Sequence, residues 1–201
     1  MRQLLLLSVV LAPALAHAEP EAAATESRPP TLRMSAEIDP ADYTIYHGYG
    51  GFIGIRPAAT PHWRFRIGGG AATMPSVVVE NNDNNTCWKE RIDPVVTLAA
   101  HHYIGHGRGG LFVGPVVGAS SLTFTAPMGG KVDVRNVFAG FDVGYRWFPF
   151  KTIGLVVTPH LGAIIPLYKS EEPTVGMESY DLLPVIPLPQ LLVGFEFDVL
   201  K

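Results

Sequence analysis

From Thr31 onward the chain alternates apolar and polar residues with a period of two, and no sustained 3.6-residue period replaces it. Eight segments carry the alternation. In 31–38, Leu32, Met34, Ala36 and Ile38 oppose Thr31, Arg33, Ser35 and Glu37. In 43–56, Tyr43, Ile45, Tyr49, Ile53 and Ile55 oppose a face of glycines with Thr44, Tyr46 and Phe52. In 62–73, Trp63, Phe65 and Ile67 alternate with Arg64 and Arg66. The segments at 92–104, 110–124, 136–148, 153–168 and 190–200 repeat the theme. The last, "QLLVGFEFDVL", sets Leu191, Val193, Phe195, Phe197 and Val199 against Gly194, Glu196 and Asp198. Period two is the signature of strands, because successive side chains leave opposite faces.

The connections alternate as well. Those at 57–61, 106–110 and 149–152 are short, while 75–93, 125–134 and 170–189 are long and polar or rich in proline. The connection at 39–42 is tight, although it falls on the long side. Short turns at one rim and long loops at the other predict an up-and-down barrel.

The two faces decide what the strands touch. A secreted β-sandwich would also alternate, with a wet face of Lys, Thr and Glu. Here the apolar face is almost unbroken, and the other is rich in Gly with some Arg, Asp and Glu. Small residues suit a narrow lumen that side chains fill. The expectation is therefore an all-β, eight-stranded antiparallel up-and-down transmembrane β-barrel, apolar outside and polar within. Pro115 and Pro159 fall on the outer face and are each expected to mark a bulge.

Composition sharpens this picture. Hydrophobic residues make up 47% and charged residues 16% of the 201, with a mean hydropathy of +0.21. The typical charged share is about 25%. Arg2, the apolar run from Leu4 to Ala16 and Ala16-His17-Ala18 form a secretory signal, with cleavage expected after Ala18. Residues 19–30 read as a disordered leader and 31–201 as the barrel domain. The formal charge is −3, with no basic stripe, which excludes nucleic acid as an expected partner. A single Cys87 excludes an internal disulfide framework.

The signal, the eight strands and the amphipathic last strand resemble the small outer-membrane β-barrels of Gram-negative bacteria, of the outer membrane protein A, X and W types. The resemblance spans 31–200 and implies a place in the cell outer membrane, contact with its lipid and lipopolysaccharide, and insertion by the barrel-assembly machinery. Such chains commonly end on Phe, whereas four residues follow Phe197 here. Loops 75–93 and 169–189 would then offer a surface to a partner.

The residues expected inside are Arg33, Glu37, Arg64, Arg66, Asp93, Asp142, Arg146, Glu196 and Asp198. Their near balance of sign suits a charge-paired plug, with Arg33 as a candidate partner of Glu196. Tyr43, Trp63, Tyr145 and Trp147 suit interfacial girdles. Ser120 and Ser121 could approach His101 and His102 across a hairpin, but no G-x-S-x-G elbow accompanies them. The six mature histidines lack metal-ligand spacing, and "ENNDNN" (80–85) lacks the spacing of a calcium loop. No catalytic residue, metal or cofactor is expected. "LLPVIPLP" (182–189), too rich in proline for an ordinary strand, is expected to fold over the mouth or meet lipid or a partner. The functional expectation is a non-enzymatic barrel with a structural or surface-interaction role. Binding or passage of a small hydrophobic molecule is the first alternative, and a lipid-modifying enzyme the second.

Overall fold

The computed structural model describes residues 32–75, 79, 87–105, 108–150 and 152–200. The expected signal peptide and leader, and the Asn-rich run, lie outside the described residues. Eight strands close an antiparallel barrel: β1 (Leu32–Ile38), β2 (Tyr49–Pro57), β3 (Trp63–Thr73), β4 (Lys89–Tyr103), β5 (Gly110–Thr125), β6 (Lys131–Phe150), β7 (Leu155–Lys169) and β10 (Ile186–Leu200). Each pairs with its chain neighbour, and β10 closes on β1. A small hairpin, β8 (Thr174–Val175) and β9 (Glu178–Ser179), stands in the last long loop, and one short helix, α1 (Pro40–Thr44), follows β1.

The faces are inverted relative to a water-soluble barrel. Phe65, Leu98, Val117, Phe141, Ile165 and Phe195 point outward and are exposed, whereas Arg64 and Arg146 are each 1% exposed inside. Inward glycines make the room. A Cβ on Gly54 would overlap the Arg64 guanidinium, and one on Gly68 would overlap the Phe52 ring.

Register explains where the expected faces fail. The ladder slips between Ile92 and Val95, at Asp93-Pro94, so Ile92 turns inward and Asp93 outward. A second slip pairs Val137 with Tyr168 but Phe138 with Pro166, which puts Tyr168 outside, although the alternation of 153–168 sets it inward with Thr158 and His160. A third lies between Trp147 and Phe150, around Pro149. Pro115 and Pro159, the expected bulges, shift nothing: Pro115 stays in register with Phe141, and Pro159 with Leu191. Their missing N–H groups leave gaps in the ladder without adding a residue to it.

Two segments depart from the expected strands. Residues 43–48 are not strand, because Asp39 caps α1: its Oδ1 accepts the Ala41 N–H at 2.9 Å, and Pro40 fills the first helical position. Ile186–Pro189, in contrast, do open β10. β1 has 7 residues and β10 has 15, so the upper half of β10 has no β1 strand beside it. There the Leu191 N–H faces the Asp39 carboxylate, so residues of the same parity turn their donors to that open edge. Pro187 and Pro189 share the parity and have no donor to leave unpaired, which makes them acceptable on an edge strand.

Candidate functional site

The lumen has two halves. The half near the short turns is charged. Glu37 Oε1 accepts from Arg64 Nη2 and from Arg146 Nη1, the latter at 2.7 Å. Arg146 Nη2 donates to Glu196 Oε2 at 3.1 Å, and Arg108 Nε to Glu196 Oε1 at 2.9 Å. Arg66 Nη2 donates to Asp142 Oδ2 at 3.1 Å, and His101 Nε2 lies at 3.1 Å from the same oxygen. His160 Nε2 meets Gln190 Oε1 at 2.8 Å. Rings pack between the charges: His101 stacks on Phe112 at 4.4 Å, and the Arg56 guanidinium lies 4.1 Å from the Tyr103 ring centre.

The structure thus brings Glu37, Arg64, Arg66, Asp142, Arg146 and Glu196 into one buried set. Arg33 and Asp198 keep the inward phase but pair with each other at the turn-end rim, at 3.3 Å and partly exposed. Glu196 is therefore not the partner of Arg33. Asp93 leaves the set altogether and bonds Arg91 on the outer surface at 2.8 Å. Tyr103 takes the inward place that the alternation of 92–104 gives it, while Arg56, Arg108 and Phe112 also belong to this half and were not expected there. Arg56 follows the alternation of Phe52 and Gly54 and could have been found, whereas Arg108 reaches in from a turn, where no period exists.

The other half, toward the long loops, is apolar. A cavity of about 310 Å³ is lined by Phe52, Val95, Val116, Phe138, Ile164 and Leu188, with a few polar groups. Arg66 and Asp142 border it. At the loop end, Trp88, Phe124, Val134 and Tyr180 form a buried cluster, with Trp88 and Tyr180 rings 5.6 Å apart. Tyr180 Oη donates to Glu90 Oε2 at 2.9 Å, tying the last long loop to β4. Burial and the neighbouring Glu90 carboxylate push the Tyr180 phenol up, so it stays a donor. Sequence reading treated the whole interior as polar and missed this half. Its inward residues are apolar like their outward neighbours, so the alternation disappears.

The cavity's remaining side is formed where strand pairing stops. Tyr49, Gly50 and Gly51 of β2 pair with β3 but not with β1, and Ile186–Leu192 of β10 pair with β7 alone. Tyr49 and Gly50 on one side and Pro187–Gln190 on the other both line the cavity. Asp39, Asp42 and Tyr46, from α1 and its flanks, stand between them. Ile38, Tyr43 and Ile45 present exposed apolar side chains there.

Other expected residues fall as follows. Trp63, Tyr145 and Trp147 lie on the outer surface at the turn end, while Tyr43 sits on α1 at the loop end, where Tyr49 and Tyr168 are also exposed. Ser120 pairs with Val95, and His101 lies near Gly114, so serine and histidine stand about six residues, roughly 20 Å, apart along the strands. No Ser–His pair forms. Among the described residues no three potential metal ligands gather.

These faces and this closure define a transmembrane β-barrel. A crystal structure of Neisserial surface protein A is similar to this chain, with 8% identity, a TM-score of 0.46, and coverage of 84% of this chain and 96% of that one. That of a major outer membrane protein from Thermus thermophilus shares 13% identity and a TM-score of 0.42, covering 83% and 98%. No family model matches the chain, and no curated protein matches it.

Proposed function

We propose that this protein is a non-conducting outer-membrane barrel that takes up a small hydrophobic molecule sideways into the loop-end half of its lumen. The long loops then face outward and the short turns face the periplasm. The observation that carries this reading is the apolar cavity with three unlike boundaries. Below it, the Arg64–Glu37–Arg146–Glu196 ion pairs fill the lumen, which supports the expected plug. Above it, the Trp88–Tyr180 cluster covers the loop end. To one side, among the described residues, α1 and its flanks stand between the unpaired edges of β2 and β10. An apolar molecule in the outer leaflet meets that side without crossing water. This favours hydrophobic binding over a purely structural barrel.

The test is titration of a neutral hydrophobic fluorophore, N-phenylnaphthylamine, into the purified barrel in maltoside detergent, with a Val116→Trp variant in parallel. Wild type is expected to give saturable binding and the filled variant none, with both retaining heat-modifiable migration. Equal signals from the two would refute the cavity as a binding site. Bilayer recordings are expected to show no open-channel steps.

A further inference from the structure

The cavity's unpaired side is acidic. Asp39 is 0% exposed, and while its Oδ1 is held by the Ala41 N–H, its Oδ2 has no hydrogen-bond partner within bonding distance among the described residues. Asp42 lies three residues on, on the same face of the helical turn. Its carboxylate packs over Gly50, where a Cβ would overlap it. Both carboxylates line the cavity. Among the described residues that do so, Arg66 is the only cation, and it is bonded to Asp142. The acid pair therefore has no countercharge of its own, and the second Asp39 oxygen is buried with only the Leu191 N–H of β10 before it among the described residues.

We infer that the cavity's ligand is a cationic amphiphile, with a protonated amine held by Asp39 and Asp42 and its hydrocarbon part running across the lumen toward Val116 and Phe138. This rests on the binding reading above. An ammonium has three donors and no acceptor, so it supplies the charge that the acid pair lacks and donors for the Asp42 carboxylate, which lines the cavity. A neutral alcohol supplies only the donor, and a fatty carboxylate would stand against two like charges. At about 310 Å³ the cavity falls at the small end of the range of roughly 300–1,000 Å³ for ligand pockets, which suits a short-chain amine such as octylamine.

Binding should depend on pH. Burial and the nearby Asp39 push Asp42 up to about 6. The other titratable groups around the pair are Tyr46 beside both carboxylates, Tyr49 on β2, and, across the cavity, Glu90 on β4 and the Arg66–Asp142 pair. Gln190, which lines the cavity from β10 and meets His160 Nε2 at 2.8 Å, is neutral. The acid pair gains charge as pH rises through about 6, and the amine keeps its own until about 10.

The experiment displaces N-phenylnaphthylamine with octylamine, octanol or octanoate, taking the difference between wild type and Val116→Trp to remove partition into micelles. At pH 7.5 octylamine is expected to displace at about tenfold lower concentration than octanol, as one charge-assisted bond implies, with octanoate weakest. At pH 5 the advantage should shrink. In an Asp39→Asn/Asp42→Asn variant, amine and alcohol should converge; Asn still caps a helix, so α1 is kept. If that variant lost its heat-modifiable fold, the wild-type pH series would decide alone. Equal displacement by amine and alcohol at pH 7.5 overturns this inference and leaves hydrophobic binding standing. No cavity-dependent binding of the fluorophore overturns both.

Discussion

The turn-end and loop-end halves of this lumen solve the same packing problem with opposite chemistry. Near the turns, four arginines, Arg64, Arg66, Arg108 and Arg146, pair with Glu37, Asp142 and Glu196, and Arg56 donates to the Arg108 carbonyl. Near the loops, Phe52, Val116, Phe138, Ile164 and Leu188 meet across an open space. A charged lumen must fill itself, because each buried charge demands a partner within bonding distance. An apolar lumen makes no such demand and can stay hollow. The half built from ion pairs is consequently the seal, and the half built from hydrocarbon is where a guest fits. The strand wall follows the same division: β1 completes it beside the charges and ends at Ile38, beside the cavity.

Substitutions in each half should fail differently. The largest effect is expected from Glu37→Gln, which leaves Arg64 and Arg146 buried against a lost charge. Removing one member of such a pair costs about 3–5 kcal/mol, read as a lower urea midpoint in detergent. If Glu37→Gln unfolds no more easily than wild type, the charged half does not hold the barrel together. On the outside, Phe141→Arg should cost about 2–4 kcal/mol at mid-membrane depth, whereas Asp198→Asn at the rim should leave insertion intact. A reversed ranking in a vesicle-insertion assay would invert the facing assignment. In the hollow half, Tyr180→Phe strips a donor from buried Glu90, and an unsatisfied buried group costs about 1–3 kcal/mol. Protease sensitivity of the last long loop should rise while the barrel stays heat-modifiable.

The smallest effect concerns α1. Asp42 is raised from the ordinary 3.8 to about 6 by burial and Asp39. The folded state then holds more protons than the unfolded one between about 4 and 6, so the seating of α1 weakens as pH rises through that window. Hydrogen exchange at Ala41–Tyr46 should quicken from pH 4 to 7 after correction for intrinsic rates. Asp42→Asn should flatten the profile. An unchanged profile in that variant would remove Asp42 as the cause.

Much of this was written in the period-two pattern. It marks eight strands, the outward apolar face and the inward position of Glu37, Arg64, Arg66, Asp142, Arg146 and Glu196, because side-chain direction follows parity alone until something breaks the ladder. The breaks were not legible. Asp93 and Tyr168 changed face at slips near Pro94 and Pro166, while Pro115 and Pro159 caused none. A proline states only that a donor is missing. Whether the strand bulges depends on its partner's register, which lies far off in the chain.

The sequence by itself therefore determined a local quantity repeated many times: the alternation that makes a closed barrel with hydrocarbon outside. Tertiary structure decided what the inside does. Arg33 pairs with Asp198 rather than Glu196 because of the β1–β10 register. The cavity exists because inward apolar residues from β2, β4, β5, β6, β7 and β10 meet at one height. Its acidic side exists because β1 stops short and α1 brings Asp39 and Asp42 to an edge where Pro187 and Pro189 leave no N–H unpaired. Such meetings depend on the relative heights of strands distant in sequence, and no period along one strand carries that information.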